Sequence, residues 1–216
     1  MLGLLAPTFI AIIAALTLGG SFRGLIEYRV RAWPAALGAF AAELAIYNPP
    51  IDRQPLALEV GPWLWLAARS VLLMVLLANV LPAKPGARLR WPWLVAALGL
   101  GLNSLVIAGN GGHMPQSAAA AAAVWGASRI QPGVLQNVAT IGPNTWLPWL
   151  GDVIPEPCWL PRANVVSPGD LVLAAGVAAW FFSTLRRSYG PSRSRIVAGI
   201  GAPANGAAQA RRRWSR

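Results

Sequence analysis

Charged side chains in this 216-residue chain are confined to short stretches between long apolar segments, and that segregation leaves very few folds open. Five segments are nearly free of charge: residues 1–20, 33–47, 61–81, 91–108 and 168–185. A helix needs about 20 predominantly apolar residues to cross a bilayer, with roughly 17 as a lower limit. The first and fourth segments meet this cleanly. The second is short and holds Glu43, the third holds Arg69, and the fifth follows a polar start at Ser167. The expected fold is therefore all-α, a polytopic transmembrane helix bundle of about five spans. Only 12% of the residues are charged, against about 25% in soluble domains, which argues against an ordinary cytosolic enzyme. The first segment lacks a basic leader and a clear small-residue cleavage site, so it reads as an uncleaved anchor.

Basic residues near helix ends stay on the cytoplasmic side of a membrane. Arg23, Arg29 and Arg31 follow the first segment, Lys84, Arg88 and Arg90 follow the third, and eight arginines from Arg186 to Arg216 follow the fifth. These clusters share one face if the N-terminus is outside and the C-terminus inside. That topology divides the net charge of +11 into +13 on the inner face and −2 on a mildly acidic outer face. Residues 1–187 form the expected membrane domain, with an external region at 109–167, and residues 188–216 read as a basic, disordered cytoplasmic tail. Trp33, Trp91 and Trp93 fall at inner helix ends, and Trp63, Trp65, Trp146, Trp149 and Trp159 at or beyond outer ones, as expected of interfacial belt residues. Small residues at Ala97 and Gly101, and at Ala175 and Ala179, offer faces for close helix packing.

The external region is too apolar for a solvated linker and should fold. Pro115 and the alanine run through Val124 to Ser128 read as a helix too short to span. From Gly133 to Pro161, repeated prolines predict irregular backbone resting on the bundle.

The polar residues inside the spans all lie toward the external half. Glu43 and Arg69, on consecutive spans at comparable depth, read first as a buried ion pair and second as a ligand site, because intramembrane charges commonly pair. Asn103 and Asn110 share one face of the fourth span. Asn110-Gly111-Gly112 supplies turn chemistry at its exit, and His113 there reads as a hydrogen-bonding turn residue with a secondary role as base or sensor. Glu43, Arg69, Asn103, Asn110 and His113 are thus the candidate binding residues. Asp152 and Asp170 are the candidate catalytic residues: two close carboxylates share a proton, so one can activate water while the other protonates a leaving group. Asp170 has a competing explanation as the third residue of a helix capped by Ser167.

The stretches Asn103 to Pro115, Leu150 to Pro155 and Val166 to Gly176 resemble bacterial membrane proteins grouped as domain of unknown function 5317, over residues 1 to about 187. That resemblance implies a multi-pass protein of the bacterial plasma membrane and carries no established activity. Asp152-Val153-Ile154, then Asn164 and Asp170, is similar to signal peptidase II, which implies Asp152 and Asp170 as an aspartyl pair. Ser167-Pro168-Gly169-Asp170 stands where that enzyme has Asn-x-Ala-Asp, and its Gly-Asn-x-x-Asp-Arg element is missing here.

The expected function is a non-catalytic binder or an accessory subunit of a membrane complex, with a membrane-embedded aspartyl hydrolase as the alternative. A single Cys158 and a single His113 argue against a disulfide framework and a multi-His metal site, and no cofactor is expected. The expected partners are the lipid bilayer and other membrane-complex subunits. The arginine-rich tail lacks aromatic interleaving and adjoins a span, so no nucleic acid is expected.

Overall fold

A computed structural model describes residues 2–46, 55–81, 90–126, 134–135 and 137–187. The tail expected at 188–216, and Lys84 and Arg88 of the third loop, lie outside the described residues. The chain is mostly helical: α1 (Leu2–Thr17), α2 (Arg23–Glu27), α3 (Trp33–Ile46), α4 (Pro55–Val80), α5 (Trp91–Gly109), α6 (Ala118–Trp125) and α7 (Pro168–Leu185).

Three stretches, Glu59–Val80 in α4, Trp91–Gly109 and Pro168–Leu185, are long and apolar enough to cross a membrane. At 1.5 Å per residue, the 19 residues of α5 reach about 28 Å, close to the thickness of a hydrocarbon core. By the same measure the 14 residues of α3 reach only about 21 Å. Two of the five expected spans, α1 and α3, are therefore shorter apolar helices. The third span begins earlier than expected, because the helix already runs from Pro55.

The helices pack as a row in which α7 lies between α1 and α5, and α4 between α5 and α3. The closest approach joins α5 and α7, through residues other than the expected small pairs. A Cβ on Gly99 would collide with the backbone of Gly169 and Leu173, and one on Gly176 with the backbone of Ala96. Glycine there lets the two backbones touch. On the outward surfaces Phe9, Ile10, Ile13 and Met74 are exposed, as suits lipid contact.

One end of the bundle gathers the basic segments. The Ser21 N–H donates to the Leu185 carbonyl at 2.9 Å, and Arg186 donates to the Leu18 carbonyl. Asn79, fully buried near the end of α4, accepts from the Arg31 N–H at 2.9 Å and donates to the Arg31 carbonyl at 3.0 Å. Arg90 donates to the Tyr28 hydroxyl at 3.2 Å.

The opposite end carries a folded cap that corrects the all-α expectation. Five short strands form here: β1 (Met114–Gln116), β2 (Val134–Leu135), β3 (Val138–Thr140), β4 (Ile154–Pro155) and β5 (Val165–Val166). β3 pairs parallel to β1 and antiparallel to β2, while β4 and β5 form an antiparallel pair. Pro115 therefore lies in a strand, and Ser117 caps α6, its side chain accepting from the Ala120 N–H. Within the segment expected to be irregular between Gly133 and Pro161, the described residues form strands only at 134–135, 138–140 and 154–155; turns and a single 3-10 turn at Pro148–Leu150 make up most of the remainder. Trp65, Val106, Ile107, Met114 and Leu150 form the apolar cluster that joins cap to bundle. Trp65 is buried in this cluster and Trp93 at the opposite end against Tyr28 and Trp180, correcting their assignment to an interfacial belt, whereas Trp33, Trp63, Trp91, Trp146, Trp149 and Trp159 are exposed.

Candidate functional site

Cap and bundle enclose a cavity of about 340 Å³ between them. The helices contribute Trp65 and Arg69 from α4, Asn103 and Ile107 from α5, and Asp170 from α7. The cap contributes Met114, Gln116, Trp125, Asn137, Asp152 and Asn164 among others. Trp65 and Arg69, and likewise Asn103 and Ile107, are four residues apart and so share a helix face.

Asp170 is fixed by the start of α7. Ser167 and Asp170 form a reciprocal capping box: the Ser167 hydroxyl oxygen accepts from the Asp170 N–H, and the Asp170 carboxylate accepts from the Ser167 N–H. The buried Asn103 side chain closes the network. Its Nδ2 donates to Asp170 Oδ1 at 2.7 Å, and its Oδ1 accepts from the Ser167 hydroxyl at 2.9 Å. Asp170 Oδ2 thereby serves the helix cap and Oδ1 the Asn103 amide, on a residue that also lines the cavity.

Asp152 is placed by its backbone. Its N–H donates to the Pro115 carbonyl at 2.7 Å, and its carbonyl accepts from the Ser117 N–H at 2.9 Å, so it continues the edge of β1 beside Gln116. Among the described residues no hydrogen bond holds its side chain. Burial pushes the Asp152 carboxyl up to about 8; the Asp170 carboxylate adds to the rise and the Arg69 guanidinium opposes it. At neutral pH the Asp152 carboxyl is therefore mostly protonated and able to donate into the cavity.

Arg69 stands between this cavity and Glu43 on α3. Its Nε lies 3.9 Å from Glu43 Oε1, with both side chains largely buried, and its guanidinium lies over the Trp65 ring at 4.3 Å. The separation is an ion contact without a hydrogen bond, and among the described residues neither Glu43 Oε1 nor Arg69 Nε has a hydrogen-bond partner. Glu43 does not line the cavity.

Asn110 and His113 also lie outside the cavity lining. The Asn110 side chain accepts from the Trp146 N–H at 2.9 Å and donates to the Trp146 carbonyl at 2.9 Å, pinning the loop before residues 148–150 to the end of α5. Gly111 and Gly112 carry positive φ there, as turn residues. The His113 N–H donates to the Asn110 carbonyl at 3.3 Å within that turn.

Sequence reasoning missed Trp65, Gln116, Trp125 and Asn164 as cavity residues. Trp125 is anchored by its indole N–H on the Ala163 carbonyl at 3.1 Å, and Asn164 by its N–H on the buried Glu156 carboxylate at 2.9 Å. Only the Trp65 and Arg69 spacing carried a signal in the sequence. No group of three or more His, Cys, Asp or Glu that could hold a metal ion occurs among the described residues.

A family model described as a family of unknown function (DUF5317) matches residues 27–182, which takes in the whole cavity and leaves α1 outside. No curated protein and no solved structure matches the chain.

Proposed function

The chain belongs to the DUF5317 family of unknown function, and from that premise we propose that it is a multi-pass membrane protein that binds a small polar molecule in the cavity between bundle and cap. The carrying observation is convergence: Arg69, Asn103, Asp152 and Asp170 come from four separate segments and face one space. A volume of about 340 Å³ falls at the lower end of the roughly 300–1,000 Å³ typical of small-molecule sites. A neutral or zwitterionic ligand with both donors and acceptors suits this lining, because amides, a protonated carboxyl, a carboxylate and an arginine alternate around two indole rings. The basic segments gathered at the far end of the bundle support an orientation with the cavity on the outer side of a bacterial plasma membrane. Binding is preferred over an accessory-subunit role because a lined cavity is a specific feature, whereas exposed apolar helix faces suit lipid equally well.

The test is native mass spectrometry of the protein extracted gently from its own membranes. The wild type should retain a small molecule that is absent from Val138→Phe, which fills the cavity from β3. Equal occupancy in both proteins would overturn the reading.

One observation favours a second reading, the aspartyl hydrolase: a carboxyl held protonated near neutrality shares a cavity with a carboxylate. In that reading Asp170 takes a proton from water as the oxygen attacks an amide carbon, the C–N bond breaks, and Asp152 delivers its proton to the departing nitrogen. Both Asp170 oxygens already accept hydrogen bonds, from Asn103 and from the Ser167 N–H, which leaves fewer lone pairs to take a proton from water and weighs against this. Cleavage of a membrane substrate by wild type, lost in both Asp152→Asn and Asp170→Asn, would establish it over simple binding.

A further inference from the structure

A second cavity, of about 270 Å³, lies at the basic end of the bundle, far along the helices from the first. It is lined by Tyr28, Arg90, Trp93, Trp180, Ser183 and Arg187, among others, and no carboxylate lines it among the described residues. We propose that this cavity is an anion site for a phosphate group, held by Arg90 and Arg187 around Tyr28, with the headgroup of an anionic phospholipid as its source.

Three observations point the same way. First, both guanidinium groups lie over the one Tyr28 ring, at 5.6 Å for Arg90 and 5.9 Å for Arg187. Neither has a carboxylate partner among the described residues. Two like charges gathered on one ring repel, and an anion between them removes that cost.

Second, hydrogen-bond donors are in surplus. The Tyr28 hydroxyl oxygen accepts from Arg90 at 3.2 Å and from the Trp93 indole at 2.8 Å, which leaves its own proton to donate. The Trp180 indole N–H is buried without a hydrogen-bond partner among the described residues. A tetrahedral phosphate takes donors from several directions, and planar guanidinium forks match its oxygens.

Third, the site is built on mutually packed aromatic rings and lies at the ends of apolar helices. Tyr28 and Trp93 stack with ring centroids 6.3 Å apart, and Trp180 meets each at 5.4 Å. Arg90 opens α5 and Arg187 follows α7, so a bound headgroup would leave its acyl chains along helices that already present apolar surfaces. This inference shares the membrane reading above and is independent of what fills the first cavity.

Native mass spectrometry of the full-length protein in mild detergent tests it, with phosphatidylglycerol, phosphatidylcholine or inorganic phosphate added separately. Phosphatidylglycerol should bind the wild type, and the Arg90→Gln/Arg187→Gln double variant should lose roughly tenfold or more in affinity, as for lost charge-assisted bonds. Zwitterionic phosphatidylcholine should bind more weakly than phosphatidylglycerol. Inorganic phosphate binding with the same dependence on both arginines, without lipid binding, would retain the anion site and reassign its source to free phosphate. Should the glutamine variant not extract as folded protein, Arg90→Lys/Arg187→Lys keeps the charges and loses the forks, and a partial loss is expected. Equal phosphatidylglycerol and phosphate binding by the wild type and a folded double variant would overturn the proposal. The Val138→Phe variant should bind phosphatidylglycerol normally, which separates this failure from failure of the first cavity.

Discussion

Asn103, fully buried in α5, donates from its side-chain amide to the Asp170 carboxylate at 2.7 Å in the first turn of α7. This bond couples the tightest helix pair in the bundle to the wall of the candidate site. It also gives a capping residue a second role, since the same carboxylate faces the cavity.

Replacing Asn103 with Leu strands the Ser167 hydroxyl and one Asp170 oxygen in a buried setting. The expected loss is about 1–3 kcal/mol, the cost of a buried polar group left without its partner. Thermal unfolding in detergent should show a clearly lower Tm, with the helical content of the folded state unchanged.

The α5 and α7 seam predicts a contrast between two glycines. Gly176→Ala places a methyl against the backbone of Ala96 and should destabilise by about 1–3 kcal/mol. Gly38→Ala in α3 meets nothing within 4 Å, so it should be neutral or stabilise by up to about 1 kcal/mol through helix propensity. Unfolding of the two variants side by side checks both signs.

Asp152 sets a pH dependence. Its carboxyl rises from an ordinary 3.8 to about 8 in the folded protein, so the folded state binds the proton more tightly than the unfolded one. Its contribution to stability is complete below about pH 3.8 and is lost as pH rises through about 8. The Tm of the wild type, taken relative to Asp152→Asn, should therefore fall between pH 5 and pH 8 and level off above. A difference that stays constant across that range would show that Asp152 is ionised throughout.

Arg69 and Glu43 should behave as a coupled pair. Removing one partner from a buried ion pair costs about 3–5 kcal/mol, because the other charge is left uncompensated. Arg69→Met and Glu43→Gln should each destabilise strongly, and the double variant should recover part of the loss. Additive single effects would mean that the 3.9 Å contact carries little interaction energy.

Much of the helical framework was legible because apolar length and basic punctuation are local properties. The start of α7 was legible for the same reason, with the Ser167 to Asp170 box as its local signal. The strands were not. Residues 114–116 pair with 138–140 across an intervening helix, and Asp152 reaches Gln116 over a longer gap, so no periodicity in either segment announces its partner. The roles of Trp65 and Trp93 were obscured because a tryptophan near a helix end reads alike whether it faces lipid or packs inside the protein.

The sequence by itself determined a chain of apolar helices with its charges sorted to their ends, since hydropathy and helix capping act within a few residues. It also named most of the polar groups on which any chemistry would rest. Only the tertiary structure decided which of those groups meet: Arg69, Asn103, Asp152 and Asp170 in one cavity, Asn110 in a loop clamp, and Arg90 with Arg187 around Tyr28. The reason is physical. Convergence of distant residues depends on backbone contacts such as Gly99 and Gly176 against α7 and α5, and on strand pairs closed over long loops, neither of which leaves a local trace.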